Sequence, residues 1–202
     1  MISMKNYEAI KDIFQSQGGI ARASDITSHG IHSANLDILC QKDIISRIKR
    51  GIYEWVEDGT KDDIEIIFKL FPDCIICMQS ALSYYGYIDR TPEKWHLAFD
   101  RDINKKSLKI NYPPIKPYFF EPHILKVGIT QEVLHGRTVR IYDRERTLCD
   151  VFRYADKIDR ELMNKAIQGY LKDSAKDIRK LINYAKQLHV YKKVQQWIGV
   201  WL

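Results

Sequence analysis

A cationic tripeptide, Lys49-Arg50-Gly51, separates two short runs of β-forming residues, IISRI and IYEWV, and this feature limits the folds open to the chain. Strand-type segments joined so closely must pair as a hairpin, and Gly51 supplies the positive φ that a tight turn requires. The hairpin tip is then cationic. Such a tip either keeps an exposed sheet edge soluble or contacts a polyanion, so the preceding sequence must decide.

Three helical segments precede the hairpin. Apolar residues at helical spacing predict the first helix and end at the Gly18-Gly19 pair. A short second helix follows in GIARASDITSHGI, with Ala23, Ile26 and Ile20 directed inward, and ends at Gly30. His32 or Ser33 can cap a third helix, SANLDILCQKDI, in which apolar residues occupy one face.

The order helix, short helix, glycine turn, helix and hairpin predicts a winged helix-turn-helix DNA-binding domain over residues 1–58. In such a domain the third helix enters the major groove and the hairpin lies along the adjacent backbone. The predicted phosphate contacts are Arg47, Lys49 and Arg50. The residues expected to contact base edges or the flanking backbone are Ser33, Asn35, Gln41 and Lys42. The alternative is a protein-interaction module of the same fold.

Asp37 opposes this interpretation, because phosphate repels a carboxylate on the third helix. It is compatible with DNA only if it accepts a hydrogen bond from a cytosine amino group or faces away. The total charge gives no help, since residues 1–60 carry seven basic and eight acidic side chains. Attraction to a polyanion must therefore come from the local arrangement of charge.

The basic excess lies in the last third of the chain, where residues 137–202 carry fifteen basic and eight acidic side chains. This region predicts a basic face that docks an acidic protein, flanks DNA, or is simply solvated. The residues assigned to it are Arg137, Arg140, Lys176, Arg179 and Lys180.

Residues 57–63 are polar and predict a linker, followed by a C-terminal domain over residues 64–202. Helical patterns flank predicted strands in WHLAFD, SLKI, YFFEP and ILKVG and a predicted hairpin in EVLHGRTVRIYD. Further helical patterns run from Asp143 onward, the last from Val194 to Trp201. The expected fold class is α+β: a winged helix-turn-helix followed by a mixed α/β domain with a small sheet and C-terminal helices.

Enzymatic signatures are weak. The sequence contains no nucleophile elbow, phosphate-binding glycine loop or dinucleotide fingerprint, so we predict no catalytic residue, metal site or cofactor. Cys74 and Cys77 have the spacing of a redox or metal pair, but isoleucines separate them and favour buried thiols. Asp100 and Asp102 leave a metal-dependent nuclease open as an alternative. Without a membrane span or signal peptide, the chain is expected in the cytosol.

Three stretches resemble the AbiEi family of antitoxins, which regulate bacterial defence systems against phage. These stretches are ISRIKRGIYEW, ALSYYGYIDRTPEKWHLAFDRD and GRTVRIYDRERTLCDVFRY. The residues that carry the resemblance are Gly51-Ile52-Tyr53 in the hairpin, Ala81, Leu82, Gly86 and Pro92 in the centre, and Glu145-Arg146-Thr147-Leu148 with Asp150. The sequence departs from the family at Tyr85 and Tyr87, where histidine and leucine are common.

The resemblance implies an antitoxin of a type IV toxin–antitoxin system, which acts in abortive infection. It implies repression of its own operon, through an inverted-repeat operator in double-stranded DNA bound by two copies. The C-terminal domain would counteract a nucleotidyltransferase toxin, and the resemblance implies little direct contact between the two proteins. The alternative is a stand-alone transcriptional regulator without a toxin.

Overall fold

The computed structural model describes residues 2–56, 59 and 62–199. The chain divides into two compact units. The N-terminal unit comprises Met1–Pro72 together with Asn104–Pro114, and the C-terminal unit comprises Asp73–Ile103 and Ile115–Leu202. Helices and strands occur in both units, so the α+β class is confirmed. In the described ranges, no helix is long and apolar enough to cross a membrane.

The N-terminal unit combines helices with a three-stranded antiparallel sheet of order β1-β3-β2. Its elements are α1 (Met4–Ser16), β1 (Ile20–Arg22), α2 (Ala23–Ser28), α3 (Ala34–Gln41), β2 (Ile45–Lys49), β3 (Ile52–Trp55) and α4 (Asp63–Leu70). Buried side chains of α1, α2 and α3 pack against Trp55 of β3, and Phe14 and Tyr7 both contact its ring. Strand β3 is thus the centre of this unit.

Strand β1 was not predicted, because Ile20 was assigned to the second helix. In the structure Ile20 pairs with Glu54 and Arg22 with Ile52, so β1 forms the edge of the sheet next to β3. A strand of three residues is too short to show an alternating pattern, and its partner lies thirty or more positions along the chain. The second helix accordingly starts later, at Ala23.

The boundary between the units differs from the predicted division into 1–58 and 64–202. Helix α4 belongs to the N-terminal unit, where Ile66 is buried against Ile20 and Ile48. The predicted linker lies partly outside the described residues, at 57, 58, 60 and 61. Its last residues begin the helix, because Asp62 accepts a hydrogen bond from the backbone N–H of Ile64 at 2.8 Å and caps α4.

The segment Asn104–Pro114 also returns to the N-terminal unit, and we call it the docked segment. The strand predicted in SLKI is wrong, because Lys105–Leu108 forms a 3-10 helix. Asn104 closes this turn: its side chain accepts from the backbone N–H of Lys106 at 3.1 Å, as asparagine side chains commonly do at helix starts.

The C-terminal unit contains a five-stranded mixed sheet of order β6-β5-β4-β8-β7. Its elements are β4 (Ile75–Ile76), α5 (Met78–Tyr84), β5 (Trp95–Asp100), β6 (Ile115–Phe120), α6 (Pro122–Leu125), β7 (Ile129–Leu134), β8 (Arg137–Tyr142), α7 (Arg144–Arg153), α8 (Arg160–Lys172), α9 (Ile178–Gln187) and α10 (Tyr191–Ile198). The predicted strand in WHLAFD and the predicted hairpin are present as β5 and β7–β8. The last predicted helix reaches Ile198, and its predicted end at Trp201 lies outside the described residues.

Two details of this sheet differ from expectation. The two-residue strand β4 forms the sheet's central position, parallel to β8 and antiparallel to β5, and it is too short to have been predicted. The strand predicted in ILKVG is wrong, because α6 and a turn occupy this stretch. The carbonyls of Ile124 and Val127 accept hydrogen bonds from Arg146 and so take part in no strand ladder.

Arg146 is the buried polar centre of the C-terminal unit. Its side chain is 0% exposed and donates from Nη1 to the Ile124 and Val127 carbonyls at 2.6 and 2.8 Å. Its Nε donates to Asp150 Oδ2 at 3.1 Å, and the guanidinium carbon lies 4.0 Å from the centroid of the Tyr142 ring. The segment Glu145–Asp150 is therefore held inside the fold, and its charged residues organise the core.

The start of α7 is anchored in the same way. Asp143 caps the helix by accepting from the backbone N–H of Arg146 at 2.8 Å. Glu145 Oε1 accepts from the Tyr170 hydroxyl at 3.2 Å and from the backbone N–H of Asp177 at 2.9 Å. These carboxylates connect α7 to α8 and to the start of α9.

Replacement of Arg146 by alanine should destabilise the protein strongly. The change leaves the buried Asp150 carboxylate without the cation that is hydrogen-bonded to it and removes the Arg146 donor from two carbonyls, which costs about 3–5 kcal/mol. The free energy of unfolding, measured by urea denaturation, reports this loss. Arg90, whose exposed side chain is 3.9 Å from Glu161, provides the control, and Arg90→Ala should change stability by about 0.5 kcal/mol or less. Equal effects of the two substitutions would contradict the role assigned to Arg146.

His96 makes the stability of the C-terminal unit depend on pH. Burial, together with the charge of Lys116, lowers the pKa of His96 to about 4. In the unfolded chain the pKa is about 6.5, so the unfolded state binds more protons between these values. Stability is therefore highest above pH ~6.5 and falls by about 3 kcal/mol as the pH drops toward 4.

The His96→Gln variant tests this, because glutamine does not titrate. Urea denaturation of the variant should show a smaller loss of stability between pH ~7 and pH ~4 than that of the parent protein, since the contribution of His96 is absent. If both proteins lose the same free energy over this range, His96 is not the group responsible.

Candidate nucleic-acid interface

The predicted hairpin is present as β2 and β3. Arg47 pairs with Tyr53 and Lys49 with Ile52, with an irregularity in register between Arg47 and Lys49. Arg50 and Gly51 form the turn, and Gly51 has a φ of +75°. This φ explains the glycine, because an L side chain rarely adopts that conformation. The turn leaves Arg50 exposed at the tip.

Arg47 connects the hairpin to α3. Its Nη2 donates to the Tyr53 hydroxyl at 2.9 Å and lies 3.4 Å from Asp37 Oδ1 on α3. The guanidinium carbon is 5.2 Å from the centroid of the Tyr53 ring. The Asp37 carboxylate, which would repel phosphate by itself, therefore faces a cation of the hairpin. Both side chains are substantially exposed, so solvent weakens the attraction.

Lys49 contacts the docked segment. Its Nζ donates to the Ser107 carbonyl at 3.2 Å and lies 5.6 Å from the centroid of the Phe71 ring. Burial lowers the pKa of Lys49, and the nearby charge of Arg22 lowers it further. Sequence reasoning missed this arrangement, because Ser107 is 58 positions away and lies in a stretch predicted as a strand of another domain.

Helix α3 is oriented by its apolar side, and His32 accepts hydrogen bonds just before the start of the helix. Leu36 and Leu39 are buried in the core. The backbone N–H of Ala34 donates to His32 Nδ1 at 3.1 Å, and the Asn35 amide donates to the His32 carbonyl at 2.9 Å. The expected readout residues on and beside this helix are exposed at Ser33, Gln41 and Lys42 and half-buried at Asn35.

A groove of about 640 Å³ runs beside α3 and β2. Arg47 and Gln41 both line it, which brings one predicted phosphate contact and one predicted base contact to the same surface. Asp37 and Asp43 line it as well, so this surface has mixed charge. A ligand in this groove meets both hydrogen-bond donors and acceptors. The electrostatic potential along the groove is mixed in sign.

The basic residues predicted in the C-terminal unit have varied surroundings. Arg140 lies 3.0 Å from Asp73, and Lys180 lies 2.9 Å from Asp143. Lys176 donates to the Asp173 carbonyl at 3.3 Å. Arg137 and Arg179 are exposed. The binding role of these five residues stays a prediction, and at Lys180 the cation also stabilises the start of α7.

The residues considered for chemistry have structural roles. Cys74 and Cys77 are free and buried, and burial raises the pKa of Cys74 to about 12, which keeps its thiol protonated. Asp100 accepts from the backbone N–H of Asp102 at 2.9 Å and closes the turn after β5. In the part of the chain that the structure describes, no group of three or more His, Cys, Asp and Glu side chains could hold a metal ion.

Comparison with known families matches the segment that contains this surface. Residues 8–54 match the family described as "Transcriptional regulator, AbiEi antitoxin". The predicted resemblance to AbiEi antitoxins is confirmed there. The match to the AbiEi family spans α1 to β3, so it includes both α3 and the hairpin.

The fold as a whole also has a counterpart among solved structures. The crystal structure of the RV2827C protein from Mycobacterium tuberculosis superposes with a TM-score of 0.54 at 10% identity, over 97% of this chain and 81% of that chain. At this identity the likeness concerns the fold. The search of curated proteins gave no significant match.

Substitution of Lys49 by methionine should loosen the docked segment. Methionine keeps apolar contact with Phe71 but cannot donate to the Ser107 carbonyl, a loss of about 1 kcal/mol. The backbone N–H of Asn111 donates to the Ile48 carbonyl at 2.7 Å. In the variant this hydrogen should exchange with solvent about fivefold faster. Hydrogen exchange followed by NMR measures this rate.

Lys109→Met is the matched control, because Lys109 is an exposed lysine of the same segment. It should leave exchange at the Asn111 amide unchanged. Comparable acceleration in both variants would show that the Lys49 contact does not hold the segment.

Proposed function

We propose that the N-terminal unit is a winged helix-turn-helix that binds double-stranded DNA and represses the protein's own operon. The observation that carries this proposal is the joining of α3 to a cationic hairpin through Arg47, within the segment that matches a family of transcriptional regulators. In winged helix-turn-helix domains these two elements contact the groove and the adjacent backbone together.

The contacts divide into two classes by position. Arg50 at the hairpin tip, with Arg47 and Lys49 behind it, provides cations for phosphates, which fix the position of the protein on the duplex. Ser33, Asn35, Gln41 and Lys42 are the residues of α3 and its ends that contact base edges or the flanking backbone. The contact between Arg47 and Asp37 joins the two classes, because it links the hairpin to α3 before DNA binds.

The operator is an inverted repeat bound by two copies of the chain. Regulators of this fold place one recognition helix in each half-site, so the symmetry of the DNA site mirrors the arrangement of two protein copies. A promoter fragment carrying one half-site should accordingly bind a single copy more weakly than the complete site binds two.

The second part of the proposal concerns the C-terminal unit, which counteracts a nucleotidyltransferase toxin. The family match in the N-terminal unit and the AbiEi-like motifs of the C-terminal unit support this role. Because the Glu145–Asp150 motif is buried around Arg146, we infer that it maintains the fold of this unit. A surface of the unit, such as the basic residues Arg137 and Arg179, is then the part that acts on the toxin or its substrates.

Growth assays test the antitoxin role. Co-expression of the chain with the nucleotidyltransferase encoded beside it should restore growth, while the N-terminal unit's DNA contacts are dispensable for that effect. A Lys49→Gln/Arg50→Gln variant that still restores growth would separate antitoxin activity from repression. If the wild-type chain leaves the nucleotidyltransferase fully toxic, the antitoxin role fails and DNA binding is judged on its own.

DNA binding is tested with the same Lys49→Gln/Arg50→Gln variant. Loss of two cations at the hairpin should weaken binding to every DNA sequence and lower the slope of log K against log salt by up to about 2. Fluorescence anisotropy with a labelled promoter fragment, measured at several salt concentrations, gives this slope.

A control variant removes the same charge elsewhere. Lys157→Gln/Arg160→Gln changes two exposed residues of the C-terminal unit and should retain the parent slope. If the hairpin variant keeps the parent slope as well, the hairpin does not contact phosphates and the proposed binding mode is wrong.

A further inference from the structure

The docked segment lies beside the cationic hairpin, although the polypeptide reaches it from the C-terminal unit. It is anchored to β2 at two places. The Asn111 backbone N–H donates to the Ile48 carbonyl at 2.7 Å, and the Ser107 carbonyl accepts from Lys49 Nζ at 3.2 Å. Both acceptor and donor on the hairpin lie within two residues of Arg50. The segment is therefore fixed next to the hairpin tip.

Apolar and polar contacts hold the rest of the segment. Leu108 is 7% exposed, so its side chain is largely buried. The Tyr112 hydroxyl forms a side-chain hydrogen bond with Asp63 at the start of α4. The segment of eleven residues is thus held by the side chains of Leu108 and Tyr112 and by two backbone groups. These contacts fix the orientation of the turn.

The charge of this segment is strongly one-sided. It contains Lys105, Lys106 and Lys109 and no acidic residue. All three lysines are exposed. The anchoring contacts described above use backbone groups of the segment and the side chains of Leu108 and Tyr112.

We propose that the docked segment extends the DNA-binding surface of the hairpin, with Lys105, Lys106 and Lys109 contacting phosphates of the duplex beyond those reached by Arg50. This inference rests on the proposed DNA-binding function. The part of the DNA that this surface contacts is the phosphate backbone. Lysines without acidic residues between them attract phosphates by charge, and they do not form the hydrogen-bond pattern that distinguishes one base from another.

The position of Lys49 explains what the docked segment adds. Since the Lys49 ammonium is partly buried and donates to the Ser107 carbonyl, one of its three N–H donors is used inside the protein. The same contact brings a turn with three exposed lysines to the hairpin. The contact thus places several exposed cations next to the tip, and exposed cations can release counterions from DNA. Arg22, whose charge acts on Lys49, adds to the positive field at this side of the sheet.

The test is a Lys105→Gln/Lys106→Gln/Lys109→Gln variant of the full chain, titrated with the labelled promoter fragment at several salt concentrations. The slope of log K against log salt should fall by about 2–3, with about tenfold or more loss of affinity near ~0.1 M salt. The loss should be the same on operator and unrelated duplexes, because phosphate contacts carry no sequence information. The control is Lys126→Gln/Lys157→Gln/Lys172→Gln, which removes three exposed lysines of the C-terminal unit.

The outcomes separate this inference from the proposed function. A lower slope in the docked-segment variant together with a parental slope in the control supports the inference. A parental slope in the docked-segment variant, or equal reductions in both variants, overturns the inference and leaves DNA binding by the hairpin intact. If the wild-type chain does not bind the fragment at low salt, the proposed function itself fails.

Labelling of lysines provides a direct second measurement. An amine-reactive reagent followed by mass spectrometry should modify Lys106 and Lys109 less when the promoter fragment is bound, and Lys126 and Lys157 equally with and without DNA. Unchanged labelling of Lys106 and Lys109 on the saturated complex would rule out contact between the docked segment and the duplex. This measurement needs no substitution and so does not depend on the folding of a variant.

Discussion

The pairing of β3 with both of its neighbours is the constraint on which the N-terminal unit depends. On one side β3 pairs with β1 and on the other with β2, and Tyr53 and Trp55 are buried against the helices. Moving β3 by one residue would turn Tyr53 and Trp55 away from the helices. The register therefore fixes the core and, through Arg47 opposite Tyr53, the position of the hairpin relative to α3. The positions of the residues proposed to contact DNA therefore depend on the pairing of this strand.

The two units use charge in different ways. In the C-terminal unit the Arg146–Asp150 pair is fully buried, and its donors are directed to carbonyls of the turn after α6. Neither charge of such a pair can be buried alone, because a buried unpaired charge is costly. The pair therefore specifies how α7 packs against the sheet. In the N-terminal unit the cations of the hairpin and docked segment are exposed or partly exposed, where they can exchange water and salt for a polyanion.

Sequence reasoning predicted the elements whose signal is local. The apolar stripe of α1, the glycine in the hairpin turn and the alternation in β7–β8 are each contained in a short stretch of sequence, and all of these elements are present. Strands β1 and β4 have three and two residues and exist through partners far along the chain, so no local pattern indicates them. The strands predicted in SLKI and ILKVG are wrong because the backbone N–H groups of Ser107 and Lys109 donate within a local turn, and the Ile124 carbonyl accepts from the buried Arg146.

The same distinction applies to the candidate interface. The residues of α3 and the hairpin could be selected from the sequence, because helix periodicity and turn chemistry place them. The role of Ser107 and the adjacent lysines could not, since their approach to Lys49 depends on a segment that leaves one unit and folds with the other. Amphipathic patterns do not indicate that a segment folds with the other unit. It follows that a boundary predicted from a polar stretch lies before α4 and leaves both α4 and the docked segment out of the N-terminal unit.

Hydrogen exchange of the full chain with and without a double-stranded promoter fragment, at low salt, tests the central claim most directly. The account predicts slower exchange in α3 and around the Arg50-Gly51 turn when the fragment is bound, because these two elements contact the duplex together. Binding that leaves both elements unchanged and protects other regions, or the absence of binding to the fragment, would contradict it.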